Sequence, residues 1–116
     1  NQVDPNRIYV MGLSMGGYGT WDAVQRRPGF FAAAVPICGG GDLNFGKRLK
    51  DLPIWAWHGE KDRVIKPSRS RDMIDAIKKA GGNPKYSEIE GRGHNSWTDA
   101  WNSKEMWNWL YAQKRK

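Results

Sequence analysis

Gly12-Leu13-Ser14-Met15-Gly16 sets a serine between two glycines in the arrangement G-x-S-x-G. The apolar stretch just before it reads as a buried strand, and the residues from Met15 onward read as a helix. A sharp strand-to-helix turn lifts a serine hydroxyl clear of a sheet, and flanking glycines remove side chains that would collide there. The helix then aims its free N–H groups and its positive dipole end at the hydroxyl, so the Met15 N–H is a candidate donor to an oxyanion. Gly17 and Gly19 extend a small-residue strip that lets the helix approach the strands. The chemistry this suits is nucleophilic attack by Ser14. A glycine-rich turn with an idle serine is the bland alternative, and the placement between strand and helix argues against it.

A serine nucleophile needs a base, and the chain holds two histidines, His58 and His94. His94 sits in Gly91-Arg92-Gly93-His94-Asn95, a glycine-loosened loop after the last expected strand. Such a loop brings an imidazole over the C-terminal edge of a parallel sheet, where ligands bind. His58 closes an expected strand directly before Gly59 and reads as structural. The base in turn needs a carboxylate to orient it. Asp62, in Gly59-Glu60-Lys61-Asp62, lies in a turn on the same edge as Ser14. Asp42 is its rival and Glu60 a third option, although most acids in polar turns are caps or solvated groups. The order Ser14, Asp62, His94 matches that of serine hydrolases with a nucleophile elbow.

These residues need a scaffold, and the hydrophobic pattern supplies one. Strands are expected at residues 7–11, 31–38, 53–58 and 85–90. The first is followed by a helix over 15–27 that Pro28-Gly29 stops. Pro67 and Ser68 open a second helix with Met73, Ile77 and Ala80 on one face, closed by Gly81-Gly82. Ser103 caps a last helix whose Met106, Trp107, Leu110 and Tyr111 are expected to point inward. Lys114, Arg115 and Lys116 suit the negative end of its dipole. Strands alternating with helices predict an α/β fold, a three-layer sandwich around a mainly parallel four-stranded sheet. No repeat or linker divides the chain, so residues 1–116 are expected to form a single unit.

Composition narrows the classes further. An apolar share of 39% and a charged share of 27% are ordinary for a globular chain. Seven tryptophans are many for 116 residues, and most should be core or pocket wall. Trp97 and Trp101, near His94, are also candidates for an aromatic or sugar-ring subsite, with a core role preferred. The net charge of +7 invites nucleic acid. The basic residues are scattered among acids, however, and no zinc-finger spacing, recognition helix or RNA-binding strand accompanies them. A solvated face, or steering toward an anionic substrate, reads better. The longest apolar run, near residues 30–38, is broken by Pro36 and falls short of the roughly 18 residues a membrane span needs. The polar opening Asn1-Gln2-Val3-Asp4-Pro5 gives no sign of a signal peptide, and a mature secreted protein reads the same. Cys38, the one cysteine, excludes an internal disulfide and leaves the redox compartment open.

The chain resembles the C-terminal half of an α/β-hydrolase, in the branch of dienelactone-hydrolase-like, prolyl-oligopeptidase-like and feruloyl or polyhydroxybutyrate-type esterases. The resemblance runs through Arg7-Ile8-Tyr9-Val10-Met11-Gly12-Leu13-Ser14-Met15-Gly16-Gly17-Tyr18-Gly19-Thr20-Trp21 and Phe31-Ala32-Ala33-Ala34-Val35-Pro36-Ile37-Cys38-Gly39-Gly40. Pro53-Ile54-Trp55-Ala56-Trp57-His58-Gly59-Glu60-Lys61-Asp62 and Gly93-His94 complete it. It implies Ser14 as nucleophile, Asp62 as acid, His94 as base, the Met15 N–H in the oxyanion hole, and no metal or organic cofactor. It implies a serine esterase acting on small-molecule or polysaccharide-linked esters, with a secreted location open by resemblance alone. A serine peptidase with the same triad, a non-catalytic half-domain and a nucleic-acid-binding module are the alternatives. Thirteen residues precede Ser14, too few to hold the His-Gly-Gly-type loop that gives this superfamily its second oxyanion donor. The expectation is a triad with half an oxyanion hole, in a chain that self-associates or pairs with an upstream half.

Overall fold

The computed structural model describes residues 3–115. Asn1 and Gln2 of the polar opening, and Lys116 of the basic end, lie outside the described residues. Strands β1 (Tyr9–Leu13), β2 (Ala33–Ile37), β3 (Trp55–Gly59) and β4 (Lys85–Ile89) form one sheet in the order β1-β2-β3-β4. Every neighbouring pair is parallel. Helix α1 (Met15–Arg26) connects β1 to β2, and α2 (Ser68–Lys79) connects β3 to β4. A 3-10 segment (Leu43–Leu49) lies between β2 and β3, while α3 (Trp97–Trp101) and α4 (Lys104–Tyr111) follow the sheet. The parallel α/β architecture expected from the sequence is therefore the observed one.

Parallel strands covered on both sides bury both faces, and alternate residues serve the two cores. On one face Ala34, Ile54 and Ala56 meet Trp21 and Val24 of α1, Met73, Ile74 and Ile77 of α2, and Leu49. On the other Ala33, Val35, Ile37, Trp55 and Trp57 meet Ala100 of α3 and Met106 and Leu110 of α4. Each fully buried aliphatic side chain contributes about 1.5–3 kcal/mol, so the central strands carry much of the stability. Trp55 and Trp57, two residues apart on one face, stack at 5.2 Å. Trp21, Trp55 and Trp57 are core as expected, whereas Trp101 is 40% exposed.

The helix ends follow local chemistry. The Ser103 hydroxyl accepts from the Met106 N–H at 3.1 Å and caps α4. Gly81, with φ +99, turns the chain out of α2 while the Gly82 N–H reaches the Ile77 carbonyl. Ala80 caps α2 without joining its buried face. In α4 the inward face is narrower than expected. Met106 and Leu110 are buried, but Tyr111 is exposed and Trp107 only half-buried. One position on is a rotation of about 100°, enough to leave Trp107 at the edge of the core and Tyr111 outside it. There Trp107 and Tyr111 stack on each other, and the Trp107 indole N–H donates to the Trp101 carbonyl. Arg115 does not serve the α4 dipole. Its N–H donates to Asn6 and its guanidinium to Gly29, tying the chain end to the start of β1 and the α1–β2 turn.

The glycine strip also needs correcting. A Cβ on Gly12 would overlap the Gly16 carbonyl, and one on Gly17 would overlap the Ile37 carbonyl. Gly39 faces Gly17 with the same conflict. This backbone-on-backbone approach is what seats α1 over β2. At Gly16 and Gly19 a Cβ would meet nothing, because both face solvent.

Candidate active site

All the relevant side chains gather where the strands end. Ser14 stands between β1 and α1 with φ 55 and ψ −116, a region non-glycine residues seldom occupy. Such a conformation costs about 1–3 kcal/mol and persists only where the surroundings hold it. Here the Ser14 N–H donates to the Ile37 carbonyl at 3.0 Å and also faces Cys38 Sγ at 3.2 Å. The Ser14 carbonyl accepts from the Tyr18 N–H in the first turn of α1. Its side chain makes no capping bond, so the hydroxyl is free for other work. Met15 is the first residue of α1, and its N–H is one of the four that a helix leaves without an internal partner. Its side chain is exposed.

His94 reaches the serine from the loop after β4. Its Nε2 lies 2.9 Å from Ser14 Oγ, and its Nδ1 lies 2.8 Å from Asp62 Oδ2. A carboxylate accepts only, so Nδ1 carries the proton and Nε2 accepts the Ser14 O–H. Three features fix the loop. Gly91 has φ +75 and gives its N–H to Glu60, the Arg92 carbonyl accepts from the Lys61 N–H, and the Arg92 guanidinium grips Asp99. A Cβ on Gly59 would overlap the carbonyls of Arg92 and Gly93, so glycine there lets the loop cross the end of β3. Trp97 packs edge-on against the His94 ring at 5.5 Å.

Asp62 is buried, and its second oxygen is as well used as the first. Oδ1 accepts from the N–H groups of Val64 and Ile65, each at 2.9 Å. The two rival acids are occupied elsewhere. Asp42 caps the 3-10 segment through the Asn44 N–H, and Glu60 holds Gly91.

A second serine–histidine pair meets the same carboxylate. His58 Nδ1 is 2.7 Å from Ser70 Oγ, and His58 Nε2 is 2.7 Å from the Ile65 carbonyl and 3.3 Å from Asp62 Oδ2. Both residues are 0% exposed, and no substrate reaches a hydroxyl in that position. His94 and Ser14, by contrast, are partly open. The Ser14 arm is the one that faces solvent.

Burial pushes the His58 imidazole below its ordinary value, outweighing the Ile65 hydrogen bond and the nearby Asp62 charge. For Asp62 burial acts upward, but hydrogen bonds from His94, Ile65 and Val64 together hold its carboxyl below the usual range. Both shifts destabilise the fold in acid. The unfolded chain binds a proton at its histidine near pH 6.5 that folded His58 declines, so the unfolded state holds more protons and stability rises with pH. That contribution is complete above 6.5 and is lost as pH falls through the folded value. The Asp62 contribution is complete above 3.8 and is lost below it by the same rule. Urea unfolding is expected to give a lower midpoint at about pH 5 than at about pH 7.5, and a further drop near pH 3. A midpoint that holds or rises on acidification contradicts this account.

The sequence alone does not place Cys38 beside Ser14. Cys38 lies directly after β2 with φ 44, and its Sγ packs under Ser14. The register was the available signal, because Leu13 pairs with Ile37 and the next residues are Ser14 and Cys38. Burial, ahead of its hydrogen-bond partners, pushes the thiol up, so it stays protonated at neutral pH. Donor atoms of Cys38, Asp62 and His94 lie within 4.8 Å of one another, a spacing that could suit a metal. Within this cluster His94 Nδ1 and Asp62 Oδ2 are engaged with each other. Among the described residues no helix is long and apolar enough to cross a membrane.

Comparison with known proteins follows this geometry. Residues 1–57 match the model of the prolyl oligopeptidase family. A thermostable esterase of known crystal structure superposes with a TM-score of 0.94 and 44% identity, covering 97% of this chain and 32% of that one. A bifunctional acetylxylan esterase/xylanase from Neocallimastix patriciarum is 33% identical over 54% of this chain and 9% of its own length. Poly(3-hydroxyalkanoate) depolymerase C from Paucimonas lemoignei is 27% identical, covering 65% of this chain and 25% of its own length. The chain thus spans a quarter or less of these two curated relatives and about a third of the esterase structure.

Proposed function

We propose that this chain, whose fold is the α/β-hydrolase-related esterase fold of the prolyl oligopeptidase superfamily, is the catalytic core of a serine hydrolase that cleaves carboxylic esters through an acyl-enzyme. The observation that carries the reading is the line Asp62–His94–Ser14, with contacts of 2.8 and 2.9 Å ending at a partly open serine on a strained turn. His94 Nε2 takes the Ser14 proton as Oγ attacks the ester carbonyl, and Asp62 stabilises the imidazolium that forms. The Met15 N–H donates to the oxyanion at the positive end of α1. His94 returns the proton to the leaving alcohol, and water then enters by the same path in reverse.

The 44% identity to an esterase favours an ester substrate. The likeness to an acetylxylan esterase/xylanase supports esters borne on polysaccharide, and that to a depolymerase supports the polyester branch. A peptidase is the second reading, favoured by the prolyl oligopeptidase match over residues 1–57. Fluorophosphonate labelling of Ser14, with turnover of short p-nitrophenyl esters against peptide anilides, tests both. Faster ester turnover with a labelled Ser14 is expected. A labelled serine that turns over only anilides replaces esterase by peptidase, and an unlabelled Ser14 ends the hydrolase reading in favour of a non-catalytic unit.

The proposed unit, residues 1–116, also has an interaction to account for. β1 pairs with β2 on one side, and among the described residues nothing pairs with its other side. An open row of N–H and C=O groups tends to recruit another chain. A second copy, or a further segment of a longer hydrolase, fits that edge. Light scattering at several concentrations is expected to show the 116-residue chain self-associating. A monodisperse monomer would sink the self-association idea.

A further inference from the structure

Asp62 is served by two imidazoles, and the proposed mechanism uses only one. Fully buried His58 lies 3.3 Å from Oδ2, and partly open His94 lies 2.8 Å from the same oxygen. The Ile65 carbonyl, 2.7 Å from His58 Nε2, accepts only, so neutral His58 carries its proton there. Its Nδ1 must then accept, and the Ser70 hydroxyl is the donor at 2.7 Å. Ser70 is thus the residue that satisfies the lone pair of one His58 tautomer. It stands in the first turn of α2, while His58 stands in β3.

This arrangement fixes the plane of the Asp62 carboxylate. Ile65 gives its N–H to Oδ1 while its carbonyl takes the His58 proton. His58 Nε2 also lies 3.3 Å from Oδ2, packed beside it with its proton given to Ile65. Rotation of the carboxylate breaks the two Oδ1 bonds and carries Oδ2 away from both imidazoles. We propose that His58, oriented by Ser70, is a positioning residue that locks the Asp62 carboxylate in the plane His94 requires, so that the Ser14 reaction depends on a buried histidine that never touches substrate. The inference rests on the hydrolase reading above. The charged and titratable groups around the carboxylate are His94 from the loop after β4, His58 from β3, Cys38 after β2, and Glu88 of β4 facing His58.

A purely structural role would lower the fraction of folded protein without changing the reactivity of each folded molecule. The test therefore counts folded molecules by thermal unfolding and measures the rate of Ser14 labelling by fluorophosphonate per folded molecule. It also follows by proton NMR the hydrogen-bonded Nδ1–H of His94, which needs no turnover. His58→Ala is expected to slow labelling by up to about tenfold, because the Ile65 segment that holds Oδ1 loses its hydrogen bond to His58 and the space beside Oδ2 empties. The His94 Nδ1–H signal should broaden through exchange with water. His58→Gln, whose amide can still donate to the Ile65 carbonyl and fill the space beside Oδ2, should recover the rate to within about threefold. Ser70→Ala removes the outer support together with a longer contact to the Gly39 carbonyl, is safer for folding, and should cost about threefold. Labelling in His58→Ala and Ser70→Ala equal to wild type, with the NMR signal unchanged, overturns the proposal. A His58→Gln variant no better than His58→Ala also overturns it. A wild-type Ser14 that is never labelled defeats the hydrolase reading instead, and the His94 signal in the variants then still decides whether His58 positions Asp62.

Discussion

Ser14→Ala is expected to lower ester turnover by on the order of 10⁶, leaving only what the oxyanion donor and substrate binding supply. The reasoning is local. The Ser14 hydroxyl touches His94 Nε2 and makes no cap, so removing it deletes the proposed nucleophile and little else. The strained backbone at φ 55 is held by the Ser14 N–H, which alanine keeps. Near-ultraviolet circular dichroism and the urea midpoint should match wild type while the rate on a short-chain ester collapses. A variant that keeps most of the wild-type rate assigns the chemistry to another group.

Asp62→Asn is expected to cost about 10⁴ in turnover with the fold retained. An asparagine oxygen can replace Oδ1 and keep the bonds from Val64 and Ile65. Its amide nitrogen then faces His94 Nδ1, donor against donor, and the ring must give up that proton or turn away. In the tautomer that satisfies the amide, Nε2 carries the hydrogen and no longer accepts from Ser14. Asp42→Asn should be mild, because Asp42 is exposed and only caps the 3-10 segment. Steady-state rates for the pair decide the matter. A larger loss from Asp42→Asn than from Asp62→Asn reverses the assignment of the acid.

Much of this arrangement can be read from the chain, and the gaps have physical causes. Short apolar runs mark β1 to β3, and glycines on both sides mark the more polar, partly exposed β4, so all four are visible to within two residues. Ser14 is legible because a strand, a glycine and a helix leave a serine only one kind of place to stand. Asp62 and His94 can be singled out by chain order, but their distances to Ser14 depend on how two loops cross the sheet edge. The 3-10 segment is opaque, since Leu43–Leu49 has neither the length nor the period of a helix. The short α3 is hidden for the same reason. Trp107 and Tyr111 are apolar at helical spacing, and spacing alone does not tell a core face from a neighbouring stripe. The position of Cys38 required the register between β1 and β2, which no single segment encodes.

The separation in sequence of the groups at the sheet edge has a consequence for how the chain matures. Ser14 and His94 are 80 residues apart, and Asp62 and His94 are 32 apart. Neither contact forms through local structure, so both wait for the strands to find their order. Non-local parallel pairing is slow among folding events, because long loops close before their contacts repay the lost chain entropy. Helices α1 and α2 can form early, and compaction can precede the sheet. On the proposed mechanism reactivity at Ser14 cannot, since His94, the proposed base, arrives with the loop after the last strand. During refolding, the return of a reactive serine therefore marks completion of the topology rather than collapse, and a partly folded chain remains chemically silent.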